Sequence, residues 1–126
     1  MKAIALDYGK KRIGVAVGDM ESRVATPLTT LDANDDIARF LRDEQAEVVV
    51  VGMPLTMRGE RGPQAVRVLA FVTHLKKELN VPIETVDERF SSQLADRVRD
   101  VYGKKVSRDA LAAAAILETY FDCQKS

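Results

Sequence analysis

Asp7 closes an apolar run, Ala3-Ile-Ala-Leu-Asp7, and Asp87-Glu88 closes a second one that begins at Ile83. A carboxylate at the end of an apolar strand is costly to bury unless it is neutralised or paired, so a cation is its natural partner. Two or three such groups in one place repel one another unless protons or a divalent cation intervene, and hard oxygen donors favour magnesium or manganese. Such ions can activate a water and stabilise the leaving oxygen of a phosphodiester, while nearby Lys and Arg hold the flanking phosphates. Lys10, Lys11, Arg12, Arg58, Arg61 and Arg89 all lie in segments that follow the ends of apolar runs and are the candidates for backbone contacts. Each feature also has a plainer reading. Asp7 sits in Asp-Tyr-Gly, a turn former; Asp87-Glu88-Arg89 can be a charged strand-to-helix turn; the basic residues can be solvated surface. Asp109 falls in a first helical turn, where the helix dipole favours a carboxylate whatever the chemistry. Because Asp87 and Glu88 are adjacent, their side chains point to opposite faces of a strand, and the spacing leaves open which one enters a site.

The elements that must position these groups follow from periodicity. Residues 3–7 and 13–18 read as two strands, and the linker Tyr8-Gly-Lys-Lys-Arg12 is long enough for a hairpin but too short for a parallel crossover. Val24 to Leu31 reads as a third strand, with Pro27 suited to an edge or an irregularity. Asp32, Asn34 and Asp35 supply capping chemistry for a short helix bearing Ile37, Phe40 and Leu41 on one face. Glu47-Val-Val-Val-Val-Gly52 is a continuous β-branched run, as expected of a central strand covered on both faces. Met53 to Gly62 has the glycine and proline content of a loop. A helix from Pro63 carries Ala65, Val68, Leu69, Val72, Leu75 and Leu79 as its apolar stripe, and residues 83–87 form a fifth strand. Ser91 or Ser92 caps a helix containing Leu94, Val98, Val101 and Tyr102, and Ser107 caps a last helix that is apolar almost all round.

Strands four and five flank a helix in the βαβ arrangement of a parallel pair. Short antiparallel links and right-handed crossovers then give an α/β fold with a five-stranded mixed sheet of order 3-2-1-4-5, flanked by helices. In that order Asp7, Gly52 and Asp87-Glu88 share the carboxyl edge of the sheet, where open α/β folds place their sites.

The 126 residues are expected to form a single domain, with 19 basic and 19 acidic residues cancelling, so any basic surface is local rather than global. The apolar runs are too short to cross a bilayer, Cys123 is the sole cysteine, and no cleavable leader is visible. A cytoplasmic protein with no membrane partner is the expectation. His74 lies among Arg67, Ala70 and Glu78 on its helix, and neither it nor Cys123 is given a role.

Asp7-Tyr-Gly with Arg12-Ile-Gly-Val-Ala-Val, Gly52-Met-Pro-Leu with Gly59, Asp87-Glu-Arg-Phe-Ser-Ser92, and Asp109 followed by Ala112-Ala113 and Ile116-Leu117 stand in this order along the chain. Together they resemble the YqgF/RuvX family of bacterial nucleases, from near the first residue to Tyr120. The resemblance implies an RNase H-like fold related to the RuvC Holliday junction resolvases. It implies Asp7, Glu88 and Asp109 as catalytic and metal-binding carboxylates, with Asp87 competing for the middle position and two Mg or Mn ions bound. It implies as substrate either structured RNA, in processing the 5′ end of the 16S ribosomal RNA precursor, or branched DNA, as a Holliday junction resolvase. Ser92 stands where Thr is more usual and Phe90 where Leu is common, and neither touches the ligand set. Monomer and homodimer both remain open, the dimer suiting a symmetric junction. Two rivals come from other classes: a nucleotide-binding module, since Asp-x-Gly with a glycine-containing return strand resembles the phosphate hairpin of actin-like ATPases, and a catalytically inactive nucleic-acid-binding protein.

Overall fold

The computed structural model describes residues 1–54, 62–88 and 106–124. The expected helix of Leu94 to Tyr102, most of the loop after Met53, and Arg58, Arg61 and Arg89 lie outside the described residues. Strand β1 (Lys2–Tyr8) turns back into β2 (Arg12–Asp19), the turn being closed by Gly9 N donating to the Arg12 carbonyl at 3.0 Å. Strand β3 (Ala25–Asp32) adds antiparallel to β2 at one edge of the sheet. Val15 faces Thr29 while Ala16 faces Pro27, so Leu28 is an extra residue on β3. A bulge at this point accommodates a residue that has no N–H to give the ladder.

Helix α1 (Ile37–Asp43) is capped by Asp36, whose carboxylate accepts from Arg39 N at 3.1 Å. This corrects the expectation of Asp32, Asn34 or Asp35 as the cap. Asp32 and Asp35 instead bond within the preceding turn, Asp32 N donating to Asp35 Oδ2 at 2.9 Å and Asn34 N to Asp32 Oδ1 at 2.8 Å. Short acidic side chains satisfy the nearest free N–H, and here the turn reaches them before the helix does.

Strand β4 (Val48–Met53) is buried throughout, α2 (Pro63–Glu78) starts with proline at its first position, and β5 (Ile83–Asp87) precedes α3 (Arg108–Cys123). The sheet order is β3-β2-β1-β4-β5, with β1, β4 and β5 parallel and the first three strands a meander, as expected from the sequence.

Strand alternation divides the core into two layers of different composition. On one face Ile4, Leu6, Ile13, Val15, Val49 and Val51 pack beneath α1 and α2 through Leu41, Val68, Val72 and Leu75. On the other, Ala3, Ala5, Ala16, Val48, Val50 and Val86 meet Leu111, Ala113, Ala114, Ile116, Leu117, Tyr120 and Phe121 of α3. Small residues on both sides of this second layer let helix and sheet approach closely. Among the described residues no helix is long and apolar enough to cross a membrane.

Candidate active site

Alternation along β1 puts Asp7 on the same face as Ala3 and Ala5, the face that α3 covers. Asp7 is paired across the sheet with Gly14 of β2, and Gly14 with Thr30 of β3. This row of three seats the start of α3. Ser107 Oγ caps the helix by accepting from Ala110 N at 3.1 Å, and it also lies 2.6 Å from Thr30 Oγ1. A side chain at Gly14 would strike the backbone carbonyl of Asp109 and come within 3.0 Å of Ala110 N. The missing Cβ at position 14 is therefore the space into which the first turn of α3 descends.

The opposite wall is set by β4 and β5. Leu6 lies beside Val51, so Asp7 and Gly52 are the next residues on neighbouring strands, and Gly52 in turn pairs with Val86. A Cβ on Gly52 would collide with the Glu88 side chain and with Ile116. Glu88 occupies that gap and is hydrogen-bonded to Asp7. Asp87 instead pairs with Met53, a residue of the α2-side core, so alternation directs it away from the face that carries Asp7. Its charge nonetheless acts on Glu88.

Electrostatics tie these groups together. Burial pushes the Glu88 carboxyl up to about 8, and the hydrogen bond to Asp7 and the charges of Asp7 and Asp87 push the same way. Asp7 is also raised, first by burial; its bond with Glu88 draws it back and the charge of Asp109 raises it again. At neutral pH the pair accordingly holds one proton, with Glu88 donating and Asp7 accepting. Asp109, one-third exposed, is engaged by Arg12, whose Nε lies 3.4 Å from Oδ2.

Asp7, Glu88 and Asp109 thus gather at the carboxyl edge of β1, while Asp87 stands on the other side of the sheet. Of the basic candidates that are described, Lys10 and Lys11 are exposed at the hairpin tip and Arg12 is committed to Asp109. The end of β1 is further held by α2: Gln64 Nε2 donates to the Tyr8 carbonyl at 3.3 Å, and Tyr8 stacks on Phe71 with ring centroids 4.5 Å apart. Sequence reading placed Gly52 at this edge and Ser107 as the cap of the last helix, but missed Gly14 and Thr30 and the close approaches that Gly14 and Gly52 permit. A signal was present, since Gly14 and Gly52 fall on the face that alternation assigns to the alanine-rich helix.

In chemistry the donors fit a hard divalent cation. Two carboxyl groups already in contact hold a proton that a cation can replace, and a third acts on them electrostatically. Among the described residues no three His, Cys, Asp or Glu side chains stand in a finished cage.

Sheet order, helix placement and an acidic carboxyl edge together define an RNase H-like α/β fold. Two Thermus thermophilus RuvC structures share it. One, in complex with a Holliday junction substrate, superposes with a TM-score of 0.66 at 18% identity, covering 98% of this chain and 96% of that one. The other has a TM-score of 0.65 at 19% identity with the same coverage. The chain belongs to the RuvX family, whose profile, described as Holliday junction resolvase, matches residues 1–123. A relative from Chloroflexus aggregans, named as a proposed pre-16S rRNA nuclease, is 42% identical over 98% of this chain and 94% of its own length. One of the same name from Thermoanaerobacter pseudethanolicus is 36% identical over 100% of this chain and 99% of its own.

Proposed function

We propose that this chain is a metal-dependent nuclease that hydrolyses phosphodiester bonds in structured RNA, acting on the 5′ end of the 16S ribosomal RNA precursor in the cytoplasm. The observation that carries the reading is the hydrogen-bonded contact between the Asp7 and Glu88 carboxyl groups, both raised by burial, at a sheet edge where Asp109 adds a third. The relatives of the same name and near-complete coverage support RNA as substrate.

In this reading Asp7, Glu88 and Asp109 hold Mg or Mn, two ions in the full site. A bound cation supplies an activated water and stabilises the charge that develops on the leaving oxygen. The chain's own residues do the rest. Asp7 is fixed by its place in the central strand, Glu88 by the gap over Gly52, and Asp109 by the capped first turn of α3. Lys10 and Lys11, exposed on the hairpin, together with Arg12, Arg58, Arg61 and Arg89, are the candidates for contacts with the substrate backbone. None of these reads a base, so selection rests on the shape and sugar of the substrate.

The family description favours a second reading, resolution of branched DNA, which requires two sites and hence a homodimer. Cleavage of precursor RNA and of a four-way junction, each with Mn and Mg and each beside Asp7→Asn, tests both. RNA cleavage lost in the variant supports the ribonuclease. Symmetric junction cutting replaces it with a dimeric resolvase. Cleavage that persists in pure Asp7→Asn removes the site assignment altogether.

A further inference from the structure

The ion pair between Arg12 and Asp109 sits where the metal reading needs Asp109 to turn toward Asp7. We propose that Arg12 is a positioning residue that holds Asp109 as a placeholder for the metal, competing with the cation for this carboxylate and releasing it when cation or phosphate arrives. The inference rests on the metal-nuclease reading of the same site.

Three observations carry it. Asp109 Oδ2 meets Arg12 Nε at 3.4 Å, a single contact from a side chain that is 72% exposed, so the guanidinium can leave without disturbing packing. The backbone of Arg12, by contrast, is fixed at both ends: its carbonyl accepts from Gly9 N at 3.0 Å, and the residue pairs with Asp32 of β3. Only the side chain has to move. Finally, Asp109 lies close enough to act on Asp7, which is itself bonded to Glu88, so the carboxylate that Arg12 engages stands beside the other two acidic groups.

The charges agree with an exchange of partners. Without metal, the Arg12 guanidinium offsets the charge of Asp109 at 3.4 Å. A divalent cation would supply that charge, and it would repel a guanidinium standing on one of its ligands. Once displaced, the planar fork is suited to a phosphate oxygen pair, so the residue that holds Asp109 in the absence of metal is placed to grip substrate in its presence.

The test is Mn binding followed by electron paramagnetic resonance and calorimetry without nucleic acid, for wild type, Arg12→Ala, Arg12→Lys, Asp109→Asn and the double variant. Competition predicts that Arg12→Ala binds Mn about two- to tenfold tighter at low salt, the range expected for an exposed pair facing a divalent ion. Arg12→Lys falls between. The gain must vanish in the Asp109→Asn background, because the effect acts through that carboxylate. Unchanged or weaker Mn binding in Arg12→Ala overturns the inference, as does a gain that survives Asp109→Asn, which would mark a general field effect. Wild type that binds no Mn while remaining folded removes the metal reading itself, a different failure visible before any variant is compared. With Mn bound, Arg12→Ala must also lower affinity for a short, cleavage-resistant structured RNA, and unaltered affinity would overturn the second half of the exchange.

Discussion

Replacing Glu88 with glutamine keeps the size of the side chain and a donor toward Asp7 but removes the group that titrates. The consequence can be worked out for the metal-free protein. Glu88 has its carboxyl raised from 4.5 to about 8 in the folded state, burial being the largest cause. Below the lower value both folded and unfolded chains hold the proton, and the contribution of this group to stability is fully present. Between the two values the unfolded chain releases its proton and the folded one keeps it, so rising pH draws the protein toward the unfolded state. Above about 8 both are ionised, the contribution is gone, and Asp7 and Glu88 face each other as like charges. Each tenfold in proton affinity is worth about 1.4 kcal/mol, which sets a ceiling of ~5 kcal/mol over this window. The carboxyl is only half-buried, so water screens part of that, leaving ~2–4 kcal/mol.

The assay is urea unfolding in EDTA from pH 5 to 9, wild type beside Glu88→Gln. The variant cancels pH effects from groups outside the Asp7–Glu88 pair, so the difference between the two curves isolates that pair. Wild type is expected to lose ~2–4 kcal/mol relative to the variant across the window, most of it between pH 6 and 8. Saturating Mg should flatten the wild-type slope, since the cation then does for the pair what the proton did. Curves that stay parallel to within about 0.5 kcal/mol would refute the shared proton, and with it the claim that these two carboxyls form one electrostatic unit.

Three further outcomes follow from the same geometry. Gly14→Ala should destabilise by ~1–3 kcal/mol by overpacking against the Asp109 backbone and should lower single-turnover cleavage at temperatures where the chain stays folded, whereas Leu75→Ala, on the far side of the sheet, should cost ~2–5 kcal/mol in urea yet spare the rate per folded molecule. Ser107→Ala removes both the cap of α3 and the bond to Thr30, and a loss of about 1 kcal/mol is expected, read as a lower urea midpoint. Lys10→Ala and Lys11→Ala should each reduce the slope of log affinity against log salt for RNA by about 0.7, leaving metal affinity unchanged in calorimetry.

The sheet was legible because its signals were local and agreed with one another. The charged hairpin linker excluded a crossover, the valine run from Val48 demanded cover on both faces, and Pro63 marked the start of α2. Asp7 at an edge followed from topology alone. The choice between Asp87 and Glu88 was a question of register, which depends on how β5 sits beside β4 and is fixed by pairs such as Gly52 with Val86. No spacing within residues 83–88 contains that information. The cap of α1 was misplaced for a related reason: four acidic or amide side chains compete within five residues, and the winner is decided by the turn's geometry rather than by residue type. The partner of Arg12 was illegible because Asp109 lies almost a hundred residues away along the chain.

What links fold to chemistry here is the asymmetry between the two faces of one sheet. The face under α1 and α2 is filled by Ile, Leu and Val, and its large side chains hold the helices off by their own bulk. The face under α3 carries alanine and glycine on β1 and β2, with valine on β4 and β5, and over the small residues the helix comes down until backbone meets backbone at Gly14. A helix held at ordinary distance would still bury its apolar residues but would carry Asp109 away from Asp7. Close packing on this face is therefore a requirement of the site rather than of stability. Enlarging substitutions at positions 14 and 52 should separate the two, removing chemistry from molecules that remain folded.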